Sequence, residues 1–324
     1  MTRLISIFLL LVSVINEGFS QQTPVYSQYM LNGFLLNPAV AGSEGYSALN
    51  LTVREQWVGF QDGPATYALS FQTRLLRQSH IAQQKQVKRR TKSPFRGGAV
   101  GLGGYVFNHR NGAVDRTGLR MTYAYHIELE ESKLSFGLSL VGYQYRVDKE
   151  RIQLEYPDDE LWLGLRQSVF IPDADAGVYY SAKNYWAGFS ADQLFESALK
   201  FGDTGYDPLV MERNYHLMGG YDFEINETMI LSPSAHLKVA ESKKFQADIT
   251  ARLFYDQSYW GGLTYRTGQA IIVMAGLSVD RLVFGYAFDI GLNSIMKHSY
   301  GTHEFTFIAK LGDYTRRQRW LSRY

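Results

Sequence analysis

At 324 residues the chain is long enough for one large all-β domain or two ordinary domains. Its 33 Lys+Arg against 31 Asp+Glu exclude an overall polyelectrolyte, and the lack of Cys removes disulfides, thiolate metal sites, thiol nucleophiles and a Cys-linked lipid anchor together. The 23 Tyr, 19 Phe, 5 Trp and 30 Gly against 8 Pro suit strands, curved sheets and membrane interfaces.

In chain order, Arg3 precedes an apolar run over residues 4–15, and Gly18, Phe19 and Ser20 come just before Gln21. This is the layout of a secretory signal peptide over residues 1–20, and the run is short for a bilayer-spanning helix. Beyond it no apolar stretch approaches the ~20 residues such a helix needs. An exported chain of this kind is either released or spans an outer membrane as a closed barrel, since lipid leaves the backbone no other way to satisfy its polar groups.

Residues 21–45 do not alternate and carry Pro24 and Pro38, which predicts an ordered non-strand lead-in. From Tyr46, Leu49, Leu51 and Val53 alternate with Asn50, Thr52 and Arg54; after a Gly/Pro turn over residues 59–64, Tyr67, Leu69 and Phe71 alternate with Ala68, Ser70 and Gln72. Further alternating runs cover residues 96–107, 114–130, 133–148, 173–182, 185–192, 212–223, 228–239, 245–255, 259–266, 270–279, 282–291 and 303–311. The series amounts to about fourteen strands, an even number as bacterial single-chain barrels require. The last hairpin is the clearest. Leu282, Phe284, Tyr286, Phe288 and Ile290 form one face and Gly285, Ala287 and Asp289 the other; Phe305, Phe307, Ala309 and Leu311 continue the large face.

The predicted fold is therefore all-β: a single antiparallel transmembrane β-barrel over residues 46–311, with large residues toward lipid, small and polar ones toward the lumen, and the last strand pairing with the first. A soluble pair of β-sandwiches would also alternate, but would not sort loops by length. Here the connections near Glu131, Lys183, Asn226, Gln257 and Asp280 are short, whereas residues 148–172, 193–211 and 293–302 make long ones, the asymmetry of periplasmic turns and external loops. Residues 77–94 are an exception, long on the periplasmic side, and the external connections near Glu241 and Gly268 are short. Both termini are expected in the periplasm, with residues 312–324 as a basic tail.

Signatures of catalysis are thin. There is no GxSxG; Gly97, Gly98, Gly101, Gly103 and Gly104 do not fit GxGxxG and read as glycines of a curved sheet; His303 and Glu304 lack a second His at zinc-protease spacing. No catalytic, cofactor or metal residue is expected. Asp158, Asp159 and Glu160 in an external loop could hold a cation, but a solvated loop is the plainer reading. The adjoining Leu161, Trp162 and Leu163, with Leu194, Phe195 and Phe201 in the next long loop, suggest contact with a partner protein. The basic residues Lys88, Arg89 and Arg90, and Arg316, Arg317 and Arg319, fall on the periplasmic side. They form either a solvated surface or a docking surface for a periplasmic partner; without a stacking platform, nucleic acid is not expected.

Three motifs early in the chain are recognisable: YSQYM from Tyr26 to Met30, NPAVAG from Asn37 to Gly42, and QWVGF from Gln56 to Phe60, the last followed by Gly63, Pro64, Ala65 and Thr66. In order and spacing they resemble the opening of the PorP/SprF family. The likeness continues in PDADAG (Pro172 to Gly177), Gly188, Phe189 and Ser190, Tyr215, Gly219, Gly220 and Tyr221, SPSAHLK (Ser232 to Lys238), GYAFDI (Gly285 to Ile290) and GTHE (Gly301 to Glu304), with Phe288 and Thr302 departing conservatively. Residues 78–92 stand apart as an insertion.

The resemblance implies a non-enzymatic outer-membrane subunit of type IX secretion. Its partners would be a secreted or surface-anchored protein bearing a type IX C-terminal signal, such as a gliding or adhesion protein, and other components of the machinery in the periplasm. A channel or hydrophobic-solute transporter remains an alternative, and an outer-membrane hydrolase a weaker one. For the motif-dense lead-in, Tyr26, Tyr29, Asn37 and Pro38 are candidates for a segment that packs in or beneath the lumen and partly closes it, or that only guides insertion; Pro38 fixes its own φ and keeps Asn37 extended.

Overall fold

The computed structural model describes residues 26–75, 98–148, 151, 168–196, 198–199, 209–242 and 244–311. Fourteen strands follow one another as antiparallel neighbours: β1 (Ser47–Glu55), β2 (Ala65–Arg74), β3 (Gly98–Asn111), β4 (Val114–Glu128), β5 (Ser132–Val147), β6 (Ser168–Ala182) and β7 (Tyr185–Asp192). The second half comprises β8 (Asn214–Tyr221), β9 (Met229–Ala240), β10 (Phe245–Tyr255), β11 (Tyr259–Arg266), β12 (Ala270–Val279), β13 (Leu282–Gly291) and β14 (Thr302–Leu311). β14 pairs with β1 from Ser47↔Leu311 to Glu55↔His303, so the sheet closes into a 14-strand barrel and no edge is left for unwanted pairing. Among the described residues no helix is long and apolar enough to cross a membrane.

The alternation sets the two faces. Asn50, Thr52, Arg54, Ser70, Gln72, Glu304 and Thr306 are buried inside, while Leu49, Leu51, Leu69, Phe71, Phe284 and Phe305 are exposed outside. A polar interior under an apolar exterior inverts the rule for a soluble protein and matches a barrel in lipid. Tyrosines ring the outer surface at the end that carries Ser47 and Leu311, hereafter the near end: Tyr185, Tyr221, Tyr255 and Tyr259. Tyr67, Phe245 and Tyr265 do so at the far end, with Met121, Leu138, Leu140, Leu217 and Ile249 between.

β3 to β6 run for 14, 15, 16 and 15 residues and overreach their neighbours at the far end. There the outward side chains change character. Asn108 donates to Thr117 and Gln144 to Ser168, each at 3.0 Å, forming a polar ladder above the apolar belt. β6 starts at Ser168, whereas residues 148–172 were expected to be loop. Pro172 is tolerated because β7 pairs with β6 only over Ala176 to Ser181, so at Pro172 itself the strand has a ladder partner on one side alone, β5. A two-residue ribbon, Ala198–Leu199 with Leu209–Val210, lies within the expected loop over residues 193–211.

Candidate functional site

The lumen is occupied by the chain's own residues 26–43, three short 3₁₀ turns (Tyr29–Leu31, Gly33–Leu35 and Pro38–Val40) joined by bends. Asn37 explains the third turn. Extended at φ −136° as a residue before proline should be, it caps the turn by accepting the Ala39 N–H at 2.9 Å. Around the segment the inner wall divides into two apolar clusters. Phe34, Leu35, Tyr105, Phe107 and Tyr143 pack on one side, and Tyr29, Met30, Leu31, Trp260 and Met274 on the other.

The segment has a fixed direction. Tyr26 begins in the far half, its carbonyl oxygen accepting from Arg266 at the far end of β11 (3.3 Å) and its hydroxyl bonded to that of Tyr105. Ser27 and Gln28 meet Glu304 near the far end of β14. Asn32 then donates to Ser70 (2.8 Å), Asn37 to the carbonyl oxygens of Val178 (3.0 Å) and Phe189 (3.3 Å), and the Ser43 carbonyl oxygen accepts from Lys133 at the near end of β5.

The short turns bond part of the segment's backbone internally, as Leu31 N–H does to the Gln28 carbonyl oxygen at 2.9 Å, and wall side chains take groups that the turns leave over. Arg120 donates to the carbonyl oxygen of Leu35 at 2.8 Å, Ser190 to that of Leu36 at 2.7 Å, and His126 Nε2 lies 2.9 Å from that of Ala41; Gln72 accepts the Gly42 N–H at 3.1 Å. Where the segment touches the strands, the wall has glycine. A methyl group on Gly101 would stand 2.0 Å from the Ala41 oxygen, and one on Gly137 2.2 Å from the Ala39 nitrogen. Gly104, beside Gly103 in the same strand, has nothing within 4 Å of such a methyl. The glycines of β3 thus serve two purposes, and close approach to the lumen segment is one of them.

The segment's first turn is held by charge. Arg54 lies 3.0 Å from Glu304 and 2.7 Å from Asp289, all three nearly inaccessible to solvent. Each Glu304 carboxylate oxygen also accepts a backbone N–H, from Ser27 at 2.7 Å and Gln28 at 2.8 Å, and the Ser27 hydroxyl contacts both Arg54 and Asp289. A second buried pair, Arg266 with Asp248 at 2.9 Å, flanks Tyr26. Histidines scattered in sequence also converge here: His216 Nδ1 and His236 Nε2 are 3.0 Å apart, and Asp192 is 3.1 Å from His216 Nε2. The Asp192 carboxylate accepts from His216, whose other ring nitrogen is hydrogen-bonded to His236. This fixes both rings beside Tyr29, whose ring centroid is 5.1 Å from that of His236. Among the described residues, no three His, Asp or Glu side chains come together in a way that could hold a metal ion.

Of the residues singled out in the sequence, Tyr26, Tyr29, Asn37 and Pro38 are all buried in the lumen. Leu194 and Phe195 sit at the far end in a turn that β6 grips: Asp175 accepts the Gln193 N–H (3.2 Å), the Ala174 carbonyl that of Leu194 (3.0 Å) and Asp173 that of Phe195 (3.1 Å). Gln193 and Glu196 take positive φ, and the Phe195 ring is 60% exposed. The two acids of the PDADAG motif therefore shape this turn, a role no spacing in the sequence announced. Asp158, Asp159, Leu161, Trp162, Leu163, Phe201, Lys88, Arg89, Arg90, Arg316, Arg317 and Arg319 lie outside the described residues.

A closed barrel with an apolar belt between aromatic rings, filled by its own amino-terminal segment, is an integral membrane protein of the outer-membrane type. The chain belongs to the family of type IX secretion system membrane proteins PorP/SprF, whose model matches residues 18–308, and is accordingly an integral outer-membrane protein of type IX secretion. No curated protein matches the sequence. Among solved structures it is similar to the CymD monoaromatic hydrocarbon channel, at 11% identity over 91% of this chain and 96% of that one, with a TM-score of 0.47. A Pseudomonas aeruginosa FadL homologue is similar at 12% identity over 85% and 92% (TM-score 0.46), and the Pseudomonas putida toluene transporter TodX at 10% over 86% and 92% (TM-score 0.45).

Proposed function

We propose that the chain is a non-enzymatic outer-membrane subunit that supports export or surface anchoring of a partner bearing a type IX C-terminal signal, such as a gliding or adhesion protein. The near end, with Ser47 and Leu311, faces the periplasm, and the far end, with its long loops, faces outward. The observation that carries this reading is the filled lumen. A segment whose leftover carbonyl groups at Leu35, Leu36 and Ala41 are each bonded by a wall side chain acts as a plug, and a plugged barrel is better suited to holding a partner than to passing solutes.

The partner meets the far-end loops, where the turn bearing Leu194 and Phe195 offers an apolar ring on a rigid backbone, together with Asp158, Asp159, Leu161, Trp162, Leu163 and Phe201. Lys88, Arg89, Arg90, Arg316, Arg317 and Arg319 supply a basic surface toward periplasmic components of the secretion machinery. Deleting the gene tests the assignment. The secretion role predicts loss of a surface protein with solute uptake intact, and purification in mild detergent predicts co-purifying chains; lost uptake with surface proteins unchanged would instead favour a transporter.

A further inference from the structure

We infer that the polypeptide enters the lumen through the far mouth, so that the residues immediately ahead of Tyr26 are delivered to the face of the long loops. This departs from the expectation that both termini share the periplasmic side, and it rests on the orientation proposed above.

Three observations carry it. First, the backbone of Tyr26, Ser27 and Gln28 is held at far-end positions, by Arg266, the last residue of β11, and Glu304, the third of β14, with Arg54, the last but one of β1, on the Ser27 hydroxyl; the Tyr26 side chain alone reaches down, to Tyr105 in the middle of β3. Second, from there the contacts move steadily toward the near end, through Ser70, Val178, Gly101 and His126 to Lys133. Third, the way back is taken. Phe34 and Leu35 pack into the apolar cluster on one wall, Met30 and Leu31 into the cluster on the other, and Ala41 lies on bare backbone at Gly101, so the segment's own side chains take up the lumen along its path.

Length agrees. Residues 21–25, which follow the expected signal-peptide cut, extend at most about 18 Å, less than the apolar band of about 25 Å that a return to the near mouth must cross.

The test uses short epitopes inserted one at a time between Gln22 and Thr23, after Asn293 in the far-end loop, and after Lys183 in a near-end turn, each checked for folding by the heat-dependent gel shift of a barrel. Antibody binding to intact cells at the 22/23 and 293 insertions, with the 183 insertion read only after permeabilisation, is the expected result. A 22/23 epitope that behaves like the 183 one while the 293 epitope is surface-exposed overturns the inference. If the 293 epitope itself needs permeabilisation, the orientation fails instead, and the inference then stands or falls on whether the 22/23 epitope follows 293 or 183. Should the insertion at 22/23 not fold, Gln22→Cys in this chain without cysteines, labelled on cells by a membrane-impermeant maleimide, gives the same comparison against Asn293→Cys and Lys183→Cys.

Discussion

Arg54 and Glu304 are directly opposite each other across the β1–β14 seam and form a buried ion pair at 3.0 Å. The closure of the barrel and the seating of the lumen segment therefore share one group, since the same carboxylate accepts the Ser27 and Gln28 N–H groups. Removing one partner of a buried pair leaves the other charge uncompensated, which costs about 3–5 kcal/mol. Arg54→Met should lower the denaturant midpoint of the folded barrel in detergent by a corresponding amount. A loss no greater than that of Leu51→Ala, on the lipid face of the same strand, would show that the seam does not depend on the pair.

The fit of the segment to the wall predicts a sharp contrast between neighbours in β3. Gly101→Ala places a methyl where the Ala41 carbonyl already lies, an overpacking worth about 1–3 kcal/mol. Gly104→Ala meets open space and should be close to neutral. Thermal unfolding of the two variants checks this, and equal effects would mean that the segment does not press on β3.

The outer surface predicts where charge is tolerated. Leu140 is 71% exposed within the apolar belt, and Leu140→Arg should cost about 2–4 kcal/mol in a bilayer. Gln144, four residues on and already in the polar ladder with Ser168, should accept Arg with little change. Folding titrations in lipid vesicles separate the two, and indifference at Leu140 would move the membrane boundary.

Much of the barrel was legible because the period-2 alternation is a local property. Leu49, Leu51 and Val53 against Asn50, Thr52 and Arg54 state the two faces of β1 without reference to any partner, and Phe284 and Phe305 do the same for the closing hairpin. The start of β6 was less legible, since Pro172 reads as a strand breaker until the strand is seen to have a ladder partner on one side only at that residue. The interior was hardest to read. Asp192, His216 and His236 come from three strands and Arg54, Asp289 and Glu304 from three others, and no spacing relates members of such sets until the sheet is closed. The glycines of β3 were visible, but their pressing neighbour is a segment about 60 residues earlier that follows no periodic rule.

The central claim, that residues 26–43 close the lumen, is tested most directly by conductance across planar bilayers. The intact protein should give no stable single-channel steps, and a variant lacking residues 27–42, verified as a folded barrel, should give steps of uniform size. Intact protein that conducts as readily as the deletion variant would contradict the account.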